Sequence, residues 1–227
     1  MKSVATLRRP AALAGLVGGL WLWTAVPVSA QPARFEISPY LGYRFGGNLH
    51  AGTVNQPTLP GLEDLAFNEA LNLGLAGTVR LHEGILMEVF GERMGSKLEV
   101  ENDTNQTAWP PMDVDIWYLH AGVNWEVNKS YEAPLRPLVG ISLGATVLDP
   151  GESDRSSETR FSVGILLGVK YFPGDSFGFR LHGRFLTTYL ADGGTIFKSA
   201  DGSAYTIPET TYMSQFDISA GVVFPIQ

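Results

Sequence analysis

The chain has 227 residues, no cysteine and a formal net charge of -7. The absence of thiols excludes disulfides, thiolate metal sites, thiol catalysis and a lipidated N-terminal cysteine, so the fold relies on pairing and burial alone. The acidic balance argues against a nucleic-acid partner, and beyond the N-terminus no apolar run approaches the roughly 20 residues of a spanning helix.

In chain order, the first element reads as an export signal. Lys2, Arg8 and Arg9 flank an uncharged apolar stretch from Ala11 to Val26, and Val28-Ser29-Ala30 puts small residues where a signal peptidase cuts. Residues 1–30 are expected to be removed, leaving 31–227 as a single barrel domain that begins at Gln31. Removal takes Lys2, Arg8 and Arg9 from the 16 basic residues and none of the 23 acidic ones, so the mature net charge is about -10.

Eight strands are expected at 34–46, 66–81, 85–96, 112–126, 137–148, 159–172, 177–190 and 213–224. Each is long enough for the roughly 9 to 11 residues with which a tilted strand crosses a bilayer. The period of two is clearest from Phe161 to Phe185, where Phe161, Val163, Ile165, Leu167, Val169, Tyr171, Phe177, Phe179, Leu181 and Phe185 share one face. The other face of that hairpin carries Lys170, Arg180, His182 and Arg184. Connections alternate between tight turns (His82-Glu83-Gly84, Pro173 to Ser176, and a moderate 127–136) and longer Gly-, Pro-, Asn- and Asp-rich segments. An even strand count then puts all short turns on one side, the layout of an all-β, eight-stranded antiparallel up-and-down transmembrane barrel.

Aromatics cluster near segment ends, with Trp125, Tyr171, Phe177 and Phe224 on the turn side and Tyr43, Phe67, Tyr189 and Phe216 on the loop side, as interfacial girdles would. In the fourth segment Val114 and Ile116 fall in the opposite phase from Leu119 onward, which calls for a bulge near Trp117 or a later start. The polar face is too charged for a dry soluble core unless its groups pair. It holds a lumen network of Glu88, Glu92, Arg180, Arg184, Glu36, Arg80 and Lys170, with the third and seventh strands opposed so that Glu88 and Glu92 meet Arg180 and Arg184. An eight-stranded barrel is just wide enough for its own side chains, so this network is expected to fill the lumen; a gated ion path is the alternative.

Gly168-Val169-Lys170-Tyr171-Phe172-Pro173 with Gly178-Phe179-Arg180-Leu181 and Gly183-Arg184 resembles the penultimate hairpin of small bacterial outer-membrane β-barrel proteins, the OmpA/OmpX-like group. Pro39 to Gly47 and Phe216 to Phe224 resemble that group's first and last strands. The resemblance implies an outer-membrane location among lipids and lipopolysaccharide, and insertion by the barrel-assembly machinery. Chains of the group usually stop at an aromatic residue, whereas Pro225-Ile226-Gln227 follow Phe224 here. Group members include adhesins, stress-associated proteins and small pores.

Catalytic and metal patterns fail. Gly140-Ile141-Ser142-Leu143-Gly144 matches the G-x-S-x-G nucleophile pattern but lies within an alternating strand instead of a strand-to-helix elbow. His50, His82, His120 and His182 show no metal-ligand spacing; His120 and His182 share the lumen face, where packing is favoured over a metal pair. The acidic residues Glu101, Asp103, Asp113, Asp115, Asp149, Glu152 and Asp154 lack an EF-hand spacing. No catalytic, cofactor or metal residue is therefore assigned and no cofactor is expected. The expected role is structural or surface-interacting, adhesin-like, carried by the long loops of a monomer with an unknown surface ligand. A narrow small-solute or ion channel and a soluble lipocalin-like periplasmic barrel are the competing readings.

Overall fold

The computed structural model describes residues 35–47, 49–50, 62–102, 112–127, 133–151, 156–190, 195–196, 205–206 and 211–226. The expected export signal lies outside them. Eight long strands form the barrel: β1 (Phe35–Gly46), β2 (Ala70–His82), β3 (Ile85–Asn102), β4 (Met112–Glu126), β5 (Leu135–Pro150), β6 (Glu158–Tyr171), β7 (Gly178–Leu190) and β8 (Thr211–Ile226). Each pairs antiparallel with its neighbours in sequence, and β1 pairs with β8 to close the ring. Closure leaves no open edge in the bilayer, where an unpaired backbone group costs several kcal/mol. No helix occurs among the described residues.

The alternation fixes which side faces lipid. Leu71, Leu73, Ile141, Leu143 and Leu167 are more than half exposed on the outer wall, while Arg44, Lys170, Arg180 and Arg184 are buried inside. This arrangement is the reverse of a lipocalin-like barrel, whose apolar face is internal. Trp125, Tyr171, Phe177 and Phe224 ring the turn side, and Tyr43, Tyr189 and Phe216 the loop side. Phe67 departs from the expected girdle. It belongs to a short strand, Leu62–Phe67, that continues the line of β2 along β3 after an interruption at Asn68 and Glu69, and there it turns inward and is buried. Ser96 Oγ donates to the Asn68 carbonyl at 2.6 Å and pins this interruption.

A second departure is more informative. The bulge expected near Trp117 is absent: β4 pairs residue by residue with β3 from Trp125↔Ile85 to Met112↔Leu98. Val114 and Ile116 are buried inside the barrel, while Asp113, Asp115 and Trp117 face out. Above the girdle the outer wall meets water and the inside packs like a soluble core, so polarity inverts while the pleat runs on unbroken. The same inversion carries β3 past the expected end at 96, with Arg93, Lys97 and Glu99 outside and Met94 and Leu98 inside, as far as Asn102.

Turn chemistry matches the topology. Gly84 closes the β2–β3 hairpin with φ +74, and Gly46 and Gly47 leave β1 with φ +84 and +114, a region costly for residues with a Cβ. Inside, Tyr40 lies across Gly74, where an added Cβ would sit 2.2 Å from Tyr40 Cζ. Tyr40 is held by Glu92 and Arg184 and has little freedom to move. Gly74→Ala is therefore expected to cost about 1 to 3 kcal/mol through overpacking, read as a lower urea midpoint for refolding into vesicles; an unchanged midpoint would show that the Tyr40 ring is free to shift.

Candidate functional site

The lumen side chains stack in decks. Nearest the turns, Lys170 Nζ donates to Glu36 Oε2 at 2.5 Å and to Glu126 Oε1 at 3.2 Å, and Arg80 Nη2 donates to Glu126 Oε2 at 2.5 Å. Buried Leu86, Leu138, Phe172 and Val223 add apolar packing to this end, and the Arg136 guanidinium stacks 4.4 Å from the Phe172 ring centre.

In the middle deck β7 faces β3 across the lumen. Arg180 grips Glu88 with both terminal nitrogens, Nη1 to Oε2 at 2.5 Å and Nη2 to Oε1 at 3.2 Å, a fork that adds direction to the charge attraction. Arg184 spans the two carboxylates, donating to Glu88 Oε1 at 3.1 Å and Glu92 Oε2 at 3.3 Å, with its guanidinium carbon 3.6 Å from the Phe90 ring centre. Glu92 is the hub above: it also accepts from Arg44, from Tyr40 at 3.1 Å and from Asn72 Nδ2 at 2.7 Å. Arg44 in turn donates to Asp217 at 2.8 Å, which Ser219 also supports at 2.9 Å. Over this deck Tyr118 donates to Gln215 at 2.6 Å beneath an apolar core that includes Met94, Ile116, Leu148, Leu186, Leu190 and Met213.

The structure thus places all seven sequence-derived residues in the lumen. It joins Glu88, Glu92, Arg180 and Arg184 in one cluster, and Glu36, Arg80 and Lys170 in a second through Glu126. Glu126 is a further member that alternation could have flagged, since it continues the inward phase of His120 and Asn124 one step beyond the apolar run. Arg44 and Asp217 join the network as well: both lie on the inward face and pair directly in the β1–β8 register. Among the described lumen ion pairs, Arg44, Arg80, Lys170, Arg180 and Arg184 are matched by Glu36, Glu88, Glu92, Glu126 and Asp217.

Neither lumen histidine meets a carboxylate among the described contacts. His120 sits between two hydroxyls, Ser142 Oγ at 3.1 Å from Nδ1 and Ser162 Oγ at 2.8 Å from Nε2, so no carboxylate occupies the orienting position of a triad. His182 packs edge-on to Tyr40 with ring centres 5.0 Å apart. Among the acidic residues, Asp115 pairs with Arg93 at 2.7 Å and Asp113 lies 3.9 Å from Lys97 on the outer wall above the girdle. Asp103, Glu152, Asp154 and the Glu101 side chain lie outside the described residues.

A closed antiparallel ring with an apolar exterior and a charged, cross-bonded interior defines a transmembrane β-barrel. In fold the chain is similar to solved outer-membrane proteins of this class. OprG of Pseudomonas aeruginosa superimposes with a TM-score of 0.57 at 10% identity, covering 86% of this chain and 96% of that one. AlkL, solved in lipid bilayers, gives 0.57 at 14% identity over 90% and 95%, and Neisserial surface protein A gives 0.53 at 15% identity over 86% and 99%. No family model matches the chain, and no curated protein matches it in sequence.

Proposed function

We propose that the protein is an exported, monomeric barrel of the bacterial outer membrane with a plugged lumen, acting through its loop side as a structural or surface-interaction protein. The observation that carries this reading is the balanced set of ion pairs bonded across the lumen beneath an apolar core. An ion path would need a continuous polar, hydrated route, and lumen charges already held in ion pairs are not free to coordinate a passing ion. The apolar exterior supports residence among outer-membrane lipids and lipopolysaccharide, with insertion by the barrel-assembly machinery after loss of residues 1–30.

Two measurements test it. Mature protein starting at Gln31 is expected in the outer-membrane fraction, resistant to carbonate extraction and with altered gel migration when unboiled; recovery as soluble periplasmic protein would overturn the location. Purified barrel in planar bilayers is expected to give no unitary conductance steps, and reproducible steps would replace the plugged-barrel reading with the channel.

A further inference from the structure

The geometry points to a buried binding site for one water-sized neutral ligand, a structural water, where β3, β4 and β5 face side chains of β6 and β7 across the lumen. A cavity of about 10 Å³ is lined there by Glu88, Phe90, Asn124, Ser142, Leu166 and Arg184. That volume is about what one water needs. Asn124 is 4% exposed, and its Nδ2 has no hydrogen-bond acceptor in the protein. A buried amide donor left unpaired costs about 1 to 3 kcal/mol, so a partner is favoured wherever one fits.

The walls supply the rest of a coordination shell. The Glu88 carboxylate has about four acceptor positions, of which Arg180 and Arg184 use three. Ser142 Oγ touches only His120 Nδ1 among the described hydrogen bonds and keeps capacity for another. A ligand that accepts from Asn124 Nδ2 and donates to Glu88 and Ser142 completes all three, within the two to four bonds typical of buried water. Charge decides against an ion: Glu88 repels an anion, Arg184 repels a cation, and the surrounding pairs are already balanced. The site gives Ser142 a role that its G-x-S-x-G setting does not, as a wall that helps hold Glu88 against Arg180. It is independent of what the loop side binds.

Magnetization transfer from water to side-chain amides tests this in wild-type protein in lipid nanodiscs with labelled asparagine, the Asn124 signal being assigned by its loss in Asn124→Leu. A direct cross-peak between bound water and the Asn124 amide protons is expected, and it is expected to persist in Ser142→Ala, which removes the nearby exchanging hydroxyl. An Asn124 amide that sees only protein protons would overturn the site, as would a cross-peak that disappears in Ser142→Ala, because it would then be relayed by the hydroxyl. Asn124→Leu gives a second reading on stability. In a dry cavity, replacing an unpaired amide by an apolar group of similar shape raises the urea midpoint, whereas expelling a bound water and stripping Glu88 of its support lowers it. A midpoint equal to or above that of wild type would count against the water.

Discussion

Glu92→Ala is expected to destabilise the barrel by about 3 to 5 kcal/mol, the range found when one partner of a buried ion pair is removed. Glu92 accepts from Arg44, Arg184, Tyr40 and Asn72, and neither Arg44 nor Arg184 is exposed to water that could take over. The cost arises less from the lost attraction than from the cations left behind. The same logic makes the losses non-additive: Glu88→Ala and Arg180→Ala should each be costly, but the double variant should cost less than their sum, because removing both ends leaves no stranded charge in that pair. Reversible urea unfolding in vesicles, run as double-mutant cycles over Glu88, Glu92, Arg180 and Arg184, measures this. Strict additivity throughout would mean that these groups do not meet and that the lumen is open and hydrated.

Leu167→Arg is expected to cost about 2 to 4 kcal/mol through exposure of a charge to hydrocarbon near the bilayer midplane. Leu167 is 64% exposed on the lipid-facing wall of β6, and its flanking pairs Val139 and Gly183 offer no counter-charge. Leu143→Arg on β5 should behave alike. Ser142→Ala, one residue away from Leu143 but facing inward, should be mild, since it loses a hydroxyl contact to His120 and one wall of a water site that Asn124 and Glu88 still hold, with little packing. The contrast between neighbours of opposite facing is the diagnostic. If Leu167→Arg inserts into bilayers as stably as wild type, the outer wall does not face lipid.

Glu126 and Arg44 mark where local reasoning stops. The pleat is a two-residue rule, so any stretch such as Phe161 to Tyr171 reveals its two faces without help from the rest of the chain. Strand count, turn side and the inward placement of Glu36, Arg80, Glu88, Glu92, Lys170, Arg180 and Arg184 all follow from that rule. An eight-strand closure also opposes β3 to β7 and so brings Glu88 and Glu92 to Arg180 and Arg184, but the partners of Arg44 and the joining of Lys170 and Arg80 through Glu126 do not follow, because those groups are far apart in the chain: Arg44 and Asp217 are separated by 173 residues, and Lys170 and Glu126 by 44. Their meeting depends on the stagger with which the ring closes.

The absence of the bulge expected near Trp117 has a related cause. Alternation in sequence shows that the two faces differ, but the solvent outside each face is set by height in the membrane. At Leu119 the outside is lipid and the inside polar; at Val114 the outside is water and the inside an apolar core. By itself the sequence determined a closed membrane barrel and the facing of its lipid-crossing strands, because those rest on local periodicity. Only the tertiary structure decided the partners of Arg44 and Glu126, the inward turn of Phe67 and the inversion above the girdle, because each depends on where distant strands stand relative to one another and to the bilayer surface.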